Sequence, residues 1–313
     1  MIKKFAIRFL IFSFAAVLLF SLYAVLGTKA LEYRNGPGTS EIITRQFNNA
    51  ITHNSECYVL GNSRSFRGIN PEKFSMSTFN FSGNGESYDL MYYKLKFILE
   101  HNGKFKYLIL GTDFFQFAFN SIDKNWNYGD YFGNEFRSKY PSANRFYSYF
   151  TFMMGPLQGL NNTLGVFNSI RLYLLSKPVK VNRLKDNGQY LQEQRLSSDN
   201  MVERDDNKLS EQIIYFEKIL QTCRENGVEV FITLLPAQSN ELKLYENKKV
   251  KADFDEFIKS YTNECVIYID NFDLNIFEEK DWLDVNHLTP SGADKYSSEL
   301  NNEIWKITKS VLK

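Results

Sequence analysis

Five short apolar runs, each closed by Gly, Asn, Asp, Ser or Pro, punctuate the chain: "CYVLGNS" (57–63), "TFNFS" (78–82), "YLILGTD" (107–113), "VEVFITLLP" (228–236) and "CVIYIDNFD" (265–273). Continuous rather than alternating apolar runs suit parallel strands covered on both faces. Helical spacing follows in "SYDLMYYKLKFILEHNG", which ends at Gly103. It recurs in "LSEQIIYFEKILQTCRENG", with Ser210 as cap and Gly227 as stop, and "SGADKYSSELNNEIWKITKSVL" closes the chain as an amphipathic helix. Strand alternating with helix predicts a doubly wound α/β fold: three layers, α/β/α, around a parallel five-stranded sheet.

The first thirty residues follow another rule. Lys3, Lys4 and Arg8 precede "FLIFSFAAVLLFSLYAVLG", which carries no charge. A run of this length can cross a hydrocarbon core as a helix. It exceeds the roughly 7–15 apolar residues of a secretory signal, and "VLGTKA" is a poor cleavage site, so an uncleaved anchor is expected over residues 1–29. Positive charge ahead of the span puts the N-terminus in the cytoplasm and the rest of the chain outside. The Gly, Pro and Ser of "EYRNGPGTS" read as part of a linker over 30–50, with the folded domain over 51–313.

Between about 114 and 207 the strand–helix rhythm breaks. The segment is rich in Phe and Tyr, then in charge, and an insertion of this length must carry its own structure. It is expected to be an accessory helical or irregular lobe with its aromatics in its own core. An aromatic face toward sugar or membrane is the alternative.

Charge changes this picture only by exclusion. Lysine and arginine total 37 against 36 acids, a net +1, and no basic run stands out, so nucleic acid is not an expected partner. Cys57, Cys223 and Cys265 lack the spacing of a metal site, and no metal or cofactor is expected.

The candidate chemistry lies where the apolar runs end. "VLGNSRSFRGIN" (59–70) presents Ser63 just past the first run. A serine nucleophile needs a base, a group to orient the base, and donors for the oxyanion. Of three histidines, His53 and His101 suit surface positions, the latter at a helix C-terminus favoured by the dipole. His287 stands apart: in "DWLDVNHLTPSG", Asp284 precedes it by three residues, so the carboxylate can orient the ring or simply organise the turn.

Taken in order, these segments resemble the blocks of the SGNH (GDSL-like) hydrolase superfamily. Gly61-Asn62-Ser63-Arg64-Ser65 resembles the first block, "NFSGNGES" the second, Gly111-Thr112-Asp113-Phe114 the third, and Asp284 with His287 the last. The resemblance implies an SGNH/flavodoxin-like fold with Ser63 as nucleophile, His287 as base and Asp284 as its orienting group. It also implies an oxyanion hole that includes the N–H groups of Ser63 and Gly85, with Gly83 as the fallback for the second glycine. At the third block the family carries an Asn donor where this chain has Asp113. An ionised carboxylate only accepts, so either Asp113 serves elsewhere, Asn84 supplies the donor, or activity is low.

With the anchor and the long insertion, the chain looks like membrane-tethered SGNH proteins that work beside MBOAT acyltransferases in alginate acetylation or teichoic-acid D-alanylation. The resemblance implies an extracytoplasmic serine O-acyltransferase or esterase on a cell-surface polysaccharide, with an MBOAT-type partner. A non-catalytic module binding glycan or that partner is the rival. Arg64 and Arg67 are candidates to hold an anionic polymer, or are solvated loop charges.

Overall fold

A computed structural model describes residues 2–34, 39–117, 126–154, 160–175, 184–191, 209–238 and 248–311. The chain forms two compact units, Met1–Arg45 with Lys124–Asn182, and Gln46–Asp123 with Arg183–Lys313.

The second unit holds the sheet. Strands β1 (Cys57–Leu60), β2 (Thr78–Asn80), β3 (Tyr107–Thr112), β4 (Glu229–Leu234) and β5 (Val266–Asp270) are all parallel, in the order β2-β1-β3-β4-β5. Each lies within one of the five apolar runs. Both faces are covered, which explains why those runs do not alternate. On one face Tyr88 of helix α4 (Tyr88–Asn102) bonds the Thr112 hydroxyl at 2.7 Å, and α8 (Leu209–Glu225) packs against α4 and β4. On the other face Tyr296 of the last helix (Pro290–Val311) meets Thr233 at 2.8 Å. Val59, Ile109, Phe231 and Ile269 pack there with Leu300 and Ile304.

Helix ends follow local chemistry. Gly103 and Gly227 stand just past α4 and α8 with φ of 68° each, the left-handed conformation that glycine reaches without strain. Ser210 lies inside α8 rather than capping it, because the helix already begins at Leu209.

The segment expected as a linker, 30–50, is largely helical. Helix α1 runs from Ile2 to Arg34 and α2 from Thr39 to His53. The reason is an apolar stripe at Ile43, Phe47 and Ala50, spaced at helical intervals and buried; Phe47 packs edge-on against Phe81 and Phe97 at 4.9 and 4.8 Å. The Gly-Pro pair behind the linker reading lies outside the described residues.

The first unit holds α1 together with helices from the insertion: α5 (Trp126–Lys139), α6 (Arg145–Met153) and α7 (Leu160–Leu175). Residues Ile2–Gly27 of α1 are long and apolar enough to cross a membrane as a single span. The described residues of the insertion between 126 and 175 are mainly helical, as expected, but much of their apolar surface is exposed rather than buried in a lobe of its own. Its last described part, 184–191, pairs Leu184 with Tyr190 and belongs with the sheet unit.

Candidate active site

The order β2-β1-β3-β4-β5 reverses direction between β1 and β3, and open α/β sheets bind ligands outside the carboxyl ends of strands at such a point. Ser63 lies there. It opens α3 (Ser63–Gly68), directly after β1, with Asn62 as N-cap: the Asn62 side chain accepts the Arg64 N–H at 2.9 Å. As the first helical residue, Ser63 has a backbone N–H that the helix cannot satisfy.

The loop after β5 brings the other half. Asp284 Oδ1 accepts the backbone N–H groups of Asn286 and His287 at 3.0 and 2.8 Å. Both its carboxylate oxygens lie 2.9 Å from His287 Nδ1. On the far side of the ring, His287 Nε2 is 2.8 Å from Ser63 Oγ. A carboxylate and an imidazole three residues apart thus form one hydrogen-bonded line with a hydroxyl more than 220 residues away. Asp281 anchors the loop: Lys295 and Ser291 donate to its buried carboxylate at 2.6 and 2.9 Å.

Electrostatics keep the three groups in complementary states. Burial holds His287 below its ordinary pKa; Asp284 opposes this, while the nearby Arg67 and Arg64 charges add to it. Asp284 is held below the usual carboxylate range by its bonds to His287 and the loop N–H groups, which outweigh its partial burial. At neutral pH the ring is uncharged and the carboxylate ionised, so Nδ1–H donates to Asp284 and Nε2 is free to accept from Ser63.

The remaining candidates separate into two groups. Asp113 and Arg64 serve the scaffold. Asp113 is fully buried; its Oδ1 pairs with Arg64 Nη1 and its Oδ2 accepts from Asn62 Nδ2 at 2.7 Å. Burial pushes the Asp113 carboxyl up, and Arg64 and Asn62 counter it. Arg64 is 3% exposed and also donates to the carbonyls of Leu235 and Pro236 at 3.2 and 2.6 Å. The expectation that Arg64 holds a polymer is therefore corrected: its guanidinium ties α3 to β3 and to the end of β4. Asp113 is likewise corrected as an oxyanion-hole member, since both of its oxygens accept bonds from the loop that carries the serine. Arg67 donates to the Ser63 carbonyl at 3.3 Å and stacks over Tyr190 with its guanidinium carbon 5.5 Å from the ring centre.

Of the two candidate glycines, Gly83 gives its N–H to the Gly61 carbonyl at 3.1 Å, which removes the fallback. Gly85 adopts φ of 59° in the turn after β2, beside exposed Asn84, and its N–H has no acceptor among the described residues. His53 and His101 each bond the carbonyl four residues earlier, at 2.9 and 2.8 Å, and lie outside the site. Cys57, Cys223 and Cys265 are free.

Sequence reasoning missed the supports of these loops. Asn62 Nδ2 also reaches Gln116 at 2.7 Å, and Gln116 in turn donates to the Glu86 carbonyl at 2.7 Å, joining the first three blocks. Glu86 pairs with Lys94 at 2.6 Å, both fully buried, and Lys94 donates to the Phe81 carbonyl at 2.7 Å. A lysine on the apolar side of a predicted helix was the available signal. Ser65 wedges between Gly61 and Gly111: a Cβ at either glycine would overlap its hydroxyl.

A family model of no stated function matches residues 180–309, less than half the chain; the match includes Asp284 and His287 but not Ser63. No curated protein matches the chain.

Proposed function

We propose that this chain is a membrane-anchored SGNH-type serine O-acyltransferase or esterase that adds or removes acyl groups, acetyl in the first instance, on a cell-surface or exported polysaccharide. The observation that carries this reading is the line Ser63 Oγ–His287–Asp284, with 2.8 and 2.9 Å steps. His287 Nε2 takes the Ser63 proton as Oγ attacks the acyl carbonyl, and Asp284 stabilises the imidazolium. The N–H groups of Ser63 and Gly85 receive the oxyanion. His287 then protonates the leaving group, which departs and leaves acyl-Ser63. A sugar hydroxyl or water, deprotonated by His287, attacks that ester and regenerates the serine. Transfer and hydrolysis share these residues and differ in the acceptor admitted.

The span Ile2–Gly27, with Lys3, Lys4 and Arg8 in its N-terminal part, supports a single-pass anchor in the cytoplasmic membrane with the catalytic unit outside. A polysaccharide acceptor and an MBOAT-type acyl donor partner belong to the same reading.

The test uses the full chain in lipid vesicles, because α1 packs against α6 and α7 and truncation would uncover them. With a simple acetyl ester, the expected result is a burst of the ester's alcohol followed by slower acetate release, and an acetyl increment on Ser63, all lost in Ser63→Ala and His287→Ala. A wild type that matches both variants, with the ester and with acetylated glycan, would overturn the enzymatic reading in favour of a binding module.

A further inference from the structure

The insertion helices carry an apolar surface that the catalytic reading does not use. On α6, Phe146, Tyr147 and Phe150 share one side and are 79%, 49% and 48% exposed, with the two Phe rings stacked at 6.4 Å. On α7, Leu164, Phe167, Leu174 and Leu175 are 54–73% exposed. Water does not commonly face an aromatic and aliphatic surface of this extent.

The same unit says what covers it. Both helices pack against α1, whose buried positions Ala24, Gly27 and Ala30 lie in its C-terminal third, and Phe167 meets Tyr23 of α1 with ring centres 5.4 Å apart. Farther toward the N-terminus α1 exposes Phe9, Phe12, Phe14 and Leu18. The exposed sides of α6 and α7 are thus continuous with a surface fit for acyl chains.

Charge is distributed accordingly. No Asp, Glu, Lys or Arg occurs from Phe146 to Ile170. The flanking charges sit at the helix ends: Arg145, bonded to Asp130 of α5 at the start of α6, and exposed Arg171 near the end of α7. Long basic side chains in such places reach the headgroups while their stems stay in the apolar layer. At 1.5 Å per residue, α7 rises about 24 Å and α6 about 14 Å, less than the roughly 30 Å of a hydrocarbon core. Neither can span.

We propose that α6 and α7 are membrane-inserted helices that lie beside α1 in the leaflet at its C-terminal end, their exposed apolar sides covered by lipid. The protein then holds the bilayer through three helices, of which one crosses it.

The test places nitroxide spin labels in the full chain, reconstituted in phosphatidylcholine–phosphatidylglycerol vesicles. Labels go to Phe146→Cys, Phe150→Cys, Leu164→Cys and Leu174→Cys in a Cys265→Ser background; the buried Cys57 and Cys223 thiols, pushed up to about 12, stay unlabelled. Phe14→Cys on α1 gives the lipid reference and exposed Ser138→Cys on α5 the aqueous one. The expected result is collision with oxygen and protection from an aqueous nickel chelate at all four sites, as at Phe14. Nickel access equal to that at Ser138 overturns the proposal, and so does protection from both reagents, which marks a protein covering. The unsubstituted chain, photolabelled by a diazirine in the lipid acyl chains, should be modified within 146–175 as well as in α1; modification confined to α1 also overturns it.

Discussion

Arg64 and Asp113 form an ion pair beneath the loop that carries Ser63, with side chains 3% and 1% exposed. The arginine next to Ser63 and the carboxylate at the end of β3 therefore explain each other. An aspartate in a position where a donor is expected is compensated by the guanidinium that the first block supplies, and the pair locks α3 onto the sheet. A charge buried this deeply is tolerated only with its partner in place.

Removing one partner should accordingly destabilise the unit that holds the sheet rather than tune substrate affinity. Arg64→Met and Asp113→Leu are each expected to cost about 3–5 kcal/mol, and the double variant less than their sum. Denaturant unfolding of all four proteins measures the coupling; additive losses would contradict a shared pair.

Asp284→Asn separates orientation from folding. The amide oxygen can still accept from the loop N–H groups that bond Asp284 Oδ1, but the amide nitrogen at the Oδ2 position donates to Nδ1 and favours the tautomer with its proton on Nε2, which cannot accept from Ser63. Ester turnover is expected to fall about 10⁴-fold with the melting temperature almost unchanged. Kinetics and calorimetry on the same preparation check both halves.

The acid limb of the pH–rate profile should lie below pH 6.5, the ordinary histidine value, because burial holds His287 down. Turnover requires the neutral ring, so it is present above that limb and lost as pH falls through it. Arg67→Gln removes a charge that depresses the ring, and the limb should move to higher pH. A shift to lower pH would show that Arg67 acts on His287 in some other way.

Gly111→Ala puts a methyl group onto the Ser65 hydroxyl and is expected to destabilise by about 1–3 kcal/mol and to lower turnover, since Ser65 rides on the helix that Ser63 opens. Adding Ser65→Gly vacates that space and should recover part of both losses. Thermal melts and ester kinetics on single and double variants decide it.

Lys94 and Glu86 offer a control away from the catalytic line. Lys94→Met leaves a buried carboxylate beside the turn after β2 and should cost several kcal/mol, whereas Lys94→Met with Glu86→Gln should cost less. Unfolding curves read the difference directly.

Much of this protein is written locally. Each strand is an apolar run closed by a polar or small residue, because burial on both faces leaves no reason to alternate. Gly103 and Gly227 stop their helices because glycine reaches φ near 68° without strain. The span in α1 is legible because an uncharged run has few other uses. Ser63, Asp284 and His287 could be selected because so few histidines compete and the residues fall where strands end.

Other features exist only once the chain is folded. Asn62, Asp113 and Gln116 meet because parallel β1 and β3 end side by side, a pairing that no local signal encodes. Arg64 reads as a solvated loop charge until the ends of β3 and β4 are seen to enclose it. Residues 39–50 of the segment expected as a linker are helical because Ile43, Phe47 and Ala50 find a buried surface. Helices α6 and α7 of the aromatic insertion joined α1, since their apolar side chains needed partners that lie more than a hundred residues away. Local sequence fixes which residues want burial or a turn; only packing fixes what they are buried against.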